Sequence, residues 1–416
     1  MRVLLLSHYY EPEVGAPQRR WSAFVPRLVA AGHQVTVVTA RPHYPTGRAA
    51  PGAPSAGRST GRHGETVVRV GYVAYDTGRG RRLLDQLRVA AASLVPAVAS
   101  RPDVVLATVP GLPTLLLGRV VATAARARYV VEMRDAWPDL LDEVGAVPAP
   151  LRAVAVALLG RVQRRADAVV CVSERFAERL RGRGARLVLH VANGTDTTTV
   201  AALPPHPSED GGASEGGGAS EGGGASEGGR ARPGGPLRVC YAGTVGESQA
   251  VHLAVRAVGL CPPGTVELVV VGHGAALPLV HRERAALPDP AAVTVLPATD
   301  PGGVRVLLGG ADTALVTLRD WPSFEATVPS KLYELLALGR HVSAALAGEA
   351  ADVVRASGGG DVVRPEDPVA LARLWQELAA DRSRLVVGGG PRAWVREHAD
   401  DAVLAARWLD LLERLR

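Results

Sequence analysis

Short valine-rich segments alternate with longer stretches of mixed polarity along the first 200 residues. The short segments are typical of strands buried on both faces, and the stretches between them are long enough for helices. The alternation therefore predicts βαβ units that share a parallel sheet. The predicted strands lie at residues 2–7, 34–39, 66–73, 104–108, 128–132, 168–172 and 186–191.

The clearest helical pattern follows the first predicted strand. Its apolar positions have the spacing i, i+3, i+4 and i+7, and they are Trp21, Phe24, Val25 and Leu28. Such a helix buries one face against the sheet. Residues 83–99 and 151–165 carry the same period more weakly.

The alternation returns after residue 236, with strands predicted at 237–242, 266–271, 293–296, 313–318 and 341–345. Before that point the composition falls to Gly, Ala, Ser and Glu, and the motif GGASE occurs three times within residues 211–227. Such a segment cannot form a core. We therefore expect a doubly wound α/β domain at residues 1–200, a flexible linker at 201–236, a second such domain at 237–392, and a C-terminal helix at 393–416 that packs back on the first domain.

Basic residues are distributed unevenly between the two halves. Residues 1–200 contain 27 arginines against 15 acidic residues, a net charge of +12, whereas the rest of the chain has a net charge of −6. The first domain is therefore expected to meet an anionic partner, either a phosphate-bearing substrate or a membrane surface. A solvated face without function is the alternative. No helix-turn-helix, zinc-finger or aromatic RNA-binding pattern accompanies the arginines, so nucleic acid is not the expected partner.

Several absences in the sequence narrow the class of protein. No segment has about 18 uninterrupted apolar residues, and the first apolar run is too short for a signal peptide, so we expect a cytoplasmic protein with peripheral contact to the inner membrane face. Its three cysteines are widely spaced, and neither a metal site nor a cofactor is expected. His8, which has no ligand partner at a suitable spacing, is interpreted as structural.

The first candidate site lies in SHYYEPEVGAPQRRW, directly after the first strand. Gly15 precedes a predicted helix in this segment. A glycine lets the backbone approach a ligand, and a helix N-terminus offers free N–H groups to a phosphate. A simple turn is the alternative, since many loops of this kind contain glycine and proline.

The second candidate site is EMRDAWPD, at the end of the strand predicted at 128–132. Its polar and aromatic side chains are Glu132, Arg134, Asp135, Trp137 and Asp139. Loops at the carboxyl ends of parallel strands line the ligand crevice, so these residues are expected at a binding site. A salt-bridged loop around a packed tryptophan is the alternative.

The third candidate site is SFEATVPSKLYELLALG, residues 323–339. Pro329 marks the start of a helix, and Lys331, the only lysine of the chain, falls in its first turn. A lysine is electrostatically unfavourable there unless an anion binds beside it. The segment lacks the GxxxxGK pattern of a P-loop, so nucleotide hydrolysis of that kind is not indicated.

In these motifs the sequence resembles the family 4 glycosyltransferases of GT-B fold, in particular the bacterial branch of fucosamine transferases of surface polysaccharide assembly. The resemblance covers nearly the whole chain outside the linker. It rests on HYYEPEVGAPQRR, EMRDAWPD, ANGTD, CYAGTVGESQ, VVVGHG and PSKLYELLALGR, which occur in the family order.

The resemblance implies two Rossmann-like domains facing a central cleft and a retaining, metal-independent transferase. The donor would be a nucleotide-sugar, such as a UDP-sugar, bound mainly by the second domain. The acceptor would be anionic, for example a polyprenyl-linked sugar, bound mainly by the first. By position, Glu334 matches the glutamate that binds the ribose, Ser330 and Lys331 match the diphosphate-binding turn, and Gly15 matches the loop glycine near the phosphates.

The remaining site residues follow from the same resemblance. Further donor-binding candidates are Gly243, Thr244, Gln249, Gly272 and Glu325. The acceptor-binding candidates are Arg19, Arg20, Arg134 and Trp137. The catalytic candidates are Asp135, as acid-base or acceptor-orienting group, and Lys331, which is expected to stabilise the leaving diphosphate.

The sequence departs from the family pattern at three places, and the last two bear on the choice of catalytic candidates. The first glutamate of the usual E-x7-E pair is replaced by Ala326, with Glu325 one residue away. The Arg and Lys that commonly follow the YAG strand are absent, so Lys331 is expected to take over their charge. The histidine that many members place after the fourth strand is also missing, which leaves Asp135 as the leading candidate.

Other functions remain open from the sequence alone. A nucleotide-sugar 2-epimerase has the same two-domain architecture, because a fold does not fix a function. An epimerase has no separate acceptor to explain the arginine-rich first domain. Glycosylation of a secondary metabolite and a non-catalytic nucleotide-sugar sensor are further alternatives.

Overall fold

The computed structural model describes residues 1–13, 15–44, 46–75, 79–109, 111–143, 148–203 and 235–416. Most of the predicted linker at 201–236 lies outside these residues. The chain divides into two compact units. The N-terminal unit comprises Met1–Asp196, Ala326–Val328 and Ala399–Arg416, and the C-terminal unit comprises Thr197–Glu325 and Pro329–His398.

The N-terminal unit is built on an eight-stranded sheet in the order β3-β4-β2-β1-β5-β6-β7-β8. All neighbours are parallel except β3, which pairs antiparallel with β4. The strands are β1 Arg2–Leu6, β2 Gln34–Ala40, β3 Gly57–Thr60, β4 Thr66–Val70, β5 Val104–Thr108, β6 Arg128–Met133, β7 Ala168–Cys171 and β8 Val188–His190. The helices are α1 Ala16–Ala30, α2 Arg79–Ala99, α3 Leu112–Ala125, α4 Leu140–Glu143, α5 Ala149–Arg165 and α6 Glu174–Gly182.

The direction of the crossovers determines which face of this sheet each helix covers. The connection from β1 through α1 to β2 runs one way along the sheet, whereas those through α2, α3 and α5 run the other way. Because parallel crossovers are right-handed, α1 lies on one face and α2, α3 and α5 lie on the other. On the second face α2 packs beside α3, and α3 packs beside α5.

The C-terminal unit has a six-stranded, fully parallel sheet in the order β11-β10-β9-β12-β13-β14. The strands are β9 Leu237–Ala242, β10 Val266–Val271, β11 Val293–Leu296, β12 Thr313–Thr317, β13 Val342–Ala345 and β14 Gly360–Val363. The helices are α7 Val251–Gly259, α8 Leu277–Ala285, α9 Pro301–Gly309, α10 Ser330–Leu338, α11 Gly348–Ser357, α12 Pro368–Ala380 and α13 Gly390–His398. This strand order is that of a dinucleotide-binding Rossmann sheet, so the prediction of two Rossmann-like α/β domains is confirmed.

The predicted single helix at the C-terminus is two helices, α13 and α14 (Asp401–Arg414). The chain leaves helical geometry at Asp400, whose side chain accepts the N–H of Ala402 at 2.8 Å and so caps a new helix. Helix α14 belongs to the N-terminal unit, where Trp408 packs against Trp21 of α1 with ring centroids 5.4 Å apart. None of the described helices is both long and apolar enough to span a bilayer.

Candidate active site

The strand order of the C-terminal unit defines where a ligand is expected. The chain leaves β9 toward β10 on one side and returns to β12 on the other, so a ligand crevice is expected outside the carboxyl ends of β9 and β12. Ala242 is the last residue of β9, and Gly243 follows it. The side chain of Lys331, the only lysine of the chain, reaches the backbone at this switch point.

Lys331 is the second residue of α10, and its ammonium group reaches the end of β9. The Nζ atom donates a hydrogen bond to the carbonyl oxygen of Ala242 at 3.0 Å and lies 4.0 Å from the centre of the Tyr241 ring. Within the described parts of the chain, no carboxylate forms an ion pair with this lysine. Burial lowers the pKa of Lys331 to about 8, so a bound anion would stabilise the charged form.

Glycines make room for this arrangement. Gly243 has φ 135°, and a methyl group added there would lie 2.7 Å from Lys331 Nζ. Gly272, after β10, has φ 152°, and its added methyl would lie 1.9 Å from the carbonyl oxygen of Gly243. Both glycines are required by backbone conformation and by space. The structure therefore brings three predicted donor residues, Gly243, Gly272 and Lys331, into direct contact.

The first turn of α10 adds backbone donors beside the lysine. No side chain caps this helix after Pro329, and the N–H of Leu332 already donates to the Pro329 carbonyl oxygen at 3.0 Å, so the N–H groups of Ser330 and Lys331 are the ones that can meet an anionic ligand. Ser330 and Lys331 stand in the first turn, and Glu334 follows Ser330 by four residues on the same side of the helix. A positive helix end next to an ammonium group fits a diphosphate better than any neutral ligand.

The other predicted donor residues contribute less directly. Thr244 is exposed, and its carbonyl oxygen accepts the Tyr241 hydroxyl at 2.5 Å. The side-chain oxygen of Gln249 accepts the N–H of Gly246 at 3.0 Å and so closes its own turn. Glu325 is exposed at a short 3₁₀ turn, where Gly348 fits against its backbone. These three residues shape the loops around the switch point.

In the N-terminal unit, Glu132 is at the centre of a buried polar network. Its two carboxylate oxygens accept Arg20 Nε at 2.8 Å and the Thr108 hydroxyl at 2.6 Å. The remaining guanidinium nitrogens of Arg20 donate to the carbonyl oxygens of Val191 and Ala192, at 2.8 and 2.5 Å. The Arg20 side chain is buried and all of its nitrogens are used inside the unit, so it holds this network together, and its contact with an acceptor stays a prediction.

Asp135 and Glu132 have different surroundings. Glu132 lies within β6, whereas Asp135 lies just after the end of that strand. The Asp135 side chain is exposed to solvent. Desolvation by the surrounding protein raises the pKa of the Asp135 carboxyl, and the positive charge of Arg134 opposes that rise. Trp137 packs partly against the core of the unit, and its carbonyl oxygen accepts Gln163 Nε2 at 3.1 Å. Asp135 is thus the carboxylate of EMRDAWPD that a substrate can reach, since Asp139 is paired with Arg179 and Arg183.

Gly15 and Arg19 are less suited to ligand binding than the sequence suggests. Gly15 has an extended backbone, with φ 177°, and a methyl group there would meet the flexible end of Gln18 at 2.6 Å and the ring of Tyr44 at 3.3 Å. The position therefore does not require glycine for its conformation. Arg19 donates through Nη2 to the Thr195 hydroxyl at 2.5 Å, on the side of α1 that faces the start of α14.

One polar cluster was not predicted from the sequence. His8 and His43 both contact Oδ2 of Asp85 through Nε2, at 2.9 and 3.2 Å, and all three side chains are fully buried. Their ligand-type atoms lie within 4.8 Å of one another, so these residues are the ones that could hold a metal ion in the described chain.

The distances in this cluster are those of hydrogen bonds. His43 Nδ1 donates to the carbonyl oxygen of Arg41 at 2.7 Å, and the N–H of Val73 donates to Asp85 Oδ1 at 2.8 Å. Burial alone would raise the pKa of Asp85, but the hydrogen bonds from His43, His8 and Val73 hold it well below its usual range. The cluster thus fastens α2 to the loops after β1, β2 and β4.

Residues 15–194 match the family model of the glycosyl transferase 4-like domain. No curated protein sequence matches the chain.

Three solved structures illustrate the similarity of fold. Sucrose-phosphate synthase from Thermosynechococcus elongatus is 16% identical, with a TM-score of 0.74 over 100% of this chain and 98% of that one. Anabaena HepE in complex with UDP is 16% identical, with a TM-score of 0.69 over the full length of both chains. WaaG, a glycosyltransferase involved in lipopolysaccharide biosynthesis, is 13% identical, with a TM-score of 0.62 over 98% of this chain and 99% of that one.

At these identities the structural similarity establishes the fold, and the family match covers most of the N-terminal unit. The chain is therefore a glycosyltransferase of GT-B fold, and its residues 15–194 match the glycosyl transferase 4-like domain.

Proposed function

We propose that the protein is a retaining glycosyltransferase that moves a hexosyl or hexosaminyl group from a UDP-sugar to an anionic, lipid-linked acceptor at the cytoplasmic face of a membrane. It would act in the assembly of a surface glycan, as the resemblance to fucosamine transferases suggests. The donor would bind at the switch point of the C-terminal unit. The acceptor would bind to the N-terminal unit.

Lys331 is the observation that carries the proposal. It is a partly buried ammonium group without a carboxylate partner in the described chain, beside the uncapped start of α10. Negative charge grows on a nucleoside diphosphate as the bond to the sugar breaks. A fixed positive group in a medium of low dielectric constant stabilises that charge, and its contribution grows as the bond breaks.

The two glycines beside Lys331 support a diphosphate as the ligand. Gly243 and Gly272 leave the backbone bare beside the ammonium group, so that phosphate oxygens can approach main-chain N–H groups. HepE, which has the same fold, is known in complex with UDP. A lysine and helix N–H groups are sufficient to neutralise a leaving diphosphate, so we propose that the reaction needs no metal ion.

Asp135 and the positive charge of the N-terminal half support the proposal that the N-terminal unit binds an anionic acceptor. Asp135 is the exposed carboxylate at the carboxyl end of β6, where a substrate of an open sheet is expected. We propose that it orients the acceptor hydroxyl or takes part in its proton transfer. The net charge of +12 over residues 1–200 favours an acceptor that carries phosphate.

The test is a panel of nucleotides and nucleotide-sugars, with EDTA and with Mg²⁺. We expect UDP and one UDP-sugar to raise the melting temperature, by the equivalent of about 2.7 kcal/mol at 100 times the dissociation constant. With a polyprenyl phosphate or diphosphate-linked acceptor, the product should retain the anomeric configuration and form equally well in EDTA. Inversion at C2 of the donor without acceptor would instead identify an epimerase, and activity lost in EDTA and restored by Mg²⁺ would disprove metal independence.

A further inference from the structure

The long helix α2 is buried on one side and exposes apolar side chains on the opposite side. One side faces the sheet and is buried at intervals of four residues, through Asp85, Val89, Ser93 and Ala97. The other side faces solvent and is apolar at intervals of three or four residues, through Leu84, Leu87, Ala91, Leu94 and Val98. Leu84 is 59% exposed and Val95, at the edge of the outer stripe, is 76% exposed. A surface helix normally carries polar side chains on the side opposite its buried face.

The two neighbouring helices extend this outer stripe. Leu116 and Val120 are exposed on α3, which packs beside α2. Four more apolar side chains are exposed on α5, which packs beside α3, and they are Leu151, Val154, Val156 and Leu158. Together the three helices carry 12 of the 17 large apolar side chains that the described chain exposes. The outer surface formed by α2, α3 and α5 is hereafter the apolar helix face.

The charges around the apolar helix face have one sign. The three helices contain a single acidic residue, Asp85, which is buried on the inner side of α2. Their exposed charged side chains are all arginines, namely Arg81, Arg82, Arg88, Arg119, Arg161, Arg164 and Arg165. Arg88 and Arg119 belong to no ion pair within the described chain, so their charges are available to a partner.

A surface that is both apolar and purely basic matches the surface of an anionic membrane. Leucine side chains enter the boundary between headgroups and acyl chains, while arginines beside them meet lipid phosphates. A second copy of the same face fits less well, because pairing it with itself would bring arginines together without carboxylates. Contiguous apolar surface of this extent is rare on proteins that stay free in water.

We infer that the apolar helix face docks the N-terminal unit on an anionic lipid bilayer. The inference rests on the proposed function only in that a lipid-linked acceptor gives the docking its purpose. It assigns the outer sides of α2, α3 and α5, on the face of the sheet opposite α1, as the surface in contact with lipid.

The test measures binding of the full-length protein to vesicles of phosphatidylcholine alone and to vesicles that also contain phosphatidylglycerol. Three variants are compared with the wild type. The apolar variant combines Leu84→Ser, Leu87→Ser and Leu94→Ser. The basic variant combines Arg88→Ser and Arg119→Ser. The control variant combines Leu260→Ser, Val306→Ser and Val369→Ser, which are equally exposed but scattered over the C-terminal unit.

Wild type and control variant should bind the anionic vesicles alike, and high salt should weaken that binding. The apolar variant should lose about tenfold or more in partition coefficient, and the basic variant roughly fivefold per arginine. Thermal melts should show all variants folded, because every replaced side chain is exposed. The inference is overturned if the wild type does not bind, if the control loses as much as the apolar variant, or if the face instead forms a dimer that the apolar variant abolishes.

Binding of UDP without vesicles separates this inference from the proposed function. If vesicles bind but neither UDP nor a UDP-sugar stabilises the protein, the proposed UDP-sugar donor fails and the docking surface stands. If UDP binds and vesicles do not, only the docking surface fails.

Discussion

The outer helices of the two Rossmann-like units expose different kinds of surface. In the N-terminal unit, exposed leucines and valines line up on α2, α3 and α5 among arginines. In the C-terminal unit the exposed large apolar side chains are Leu260, Val306, Val369 and Val386, which lie on or next to separate elements. Isolated exposed apolar residues are ordinary, whereas an aligned group indicates a partner. The aligned group is therefore the basis of the inferred docking surface, and the scattered residues of the C-terminal unit give no such basis.

The two units also differ in how their buried or partly buried charged side chains are compensated. In the N-terminal unit, Arg20 and Glu132 neutralise each other inside the protein and hold loops together. In the C-terminal unit, Lys331 contacts a carbonyl oxygen and an aromatic ring, and no carboxylate pairs with it in the described chain. A compensated buried charge stabilises structure, while an uncompensated one is suited to bind an anion.

The largest expected effect comes from breaking the compensated pair. Arg20→Ala leaves Glu132 buried without its cation, so the free energy of unfolding of the N-terminal unit should fall by about 3–5 kcal/mol. The adjacent Arg19→Ala, which removes a partly exposed side chain, should cost under about 1 kcal/mol. Urea denaturation of both variants measures the difference. Equal effects would show that Arg20 is not the structural arginine of the two.

The uncompensated charge should affect catalysis rather than stability. Lys331→Ala should lower kcat about 100-fold, the scale of about 2.7 kcal/mol seen when one preorganised electrostatic donor is removed, with a change in stability under about 1 kcal/mol. Arg282→Ala, which removes an exposed cation from α8 of the same unit, should leave kcat unchanged. Near-normal turnover of Lys331→Ala at saturating donor would refute the assignment.

Asp401 is a buried carboxyl of the N-terminal unit whose charge is only partly compensated. Burial raises the pKa of Asp401 to about 6, against the opposing charges of Arg19 and Arg27. The folded state therefore binds the proton more tightly than the unfolded state, and stability falls as the pH rises through about 6.

Asp401→Asn should therefore stabilise the protein at pH 7 by about 2 kcal/mol, and this gain should shrink as the pH falls toward 4. Asp400→Ala, at the neighbouring cap position, should instead lower stability by about 1 kcal/mol. Melting temperatures between pH 5 and 8 provide the measurement. A gain in Asp401→Asn that does not depend on pH would contradict the role of its ionisation.

The smallest expected effect is on donor affinity. If Glu334 binds the ribose, it makes that contact equally in the ground state and the transition state. Glu334→Ala should then raise KM for the donor about tenfold and change kcat little, unlike Lys331→Ala. Steady-state kinetics of the two variants, one turn apart on α10, gives the comparison. A fall in kcat without a change in KM would assign Glu334 to the reacting centre instead.

The period of apolar residues predicted most of the fold. Strands buried on both faces repeat a short valine-rich signal, and all twelve predicted strands are present with small shifts at their ends. Two strands were missed. The four residues of β3 are exposed and contain no apolar side chain, and β14 has only two valines after a glycine and an aspartate. Both are held by hydrogen bonds to a neighbouring strand, which no local pattern records.

The candidate sites were predictable where their residues are close in sequence. The glycines after β9 and β10 and the lysine of α10 stand in recognisable motifs, whereas Arg20 meets Glu132 across 112 residues, and His8 meets Asp85 across 77. No spacing rule joins residues so far apart.

The central claim is that Lys331 contacts the diphosphate of the donor. Calorimetric titration of UDP in EDTA, at pH 7 and at pH 9, tests this in the wild type and in Lys331→Ala. Because the pKa of Lys331 is lowered to about 8, the wild type should bind UDP more weakly at pH 9 than at pH 7, by up to about tenfold per pH unit above that pKa. Lys331→Ala should bind more weakly at both pH values and lose this dependence. Equal affinity of the two proteins, with the same pH profile, would contradict the account.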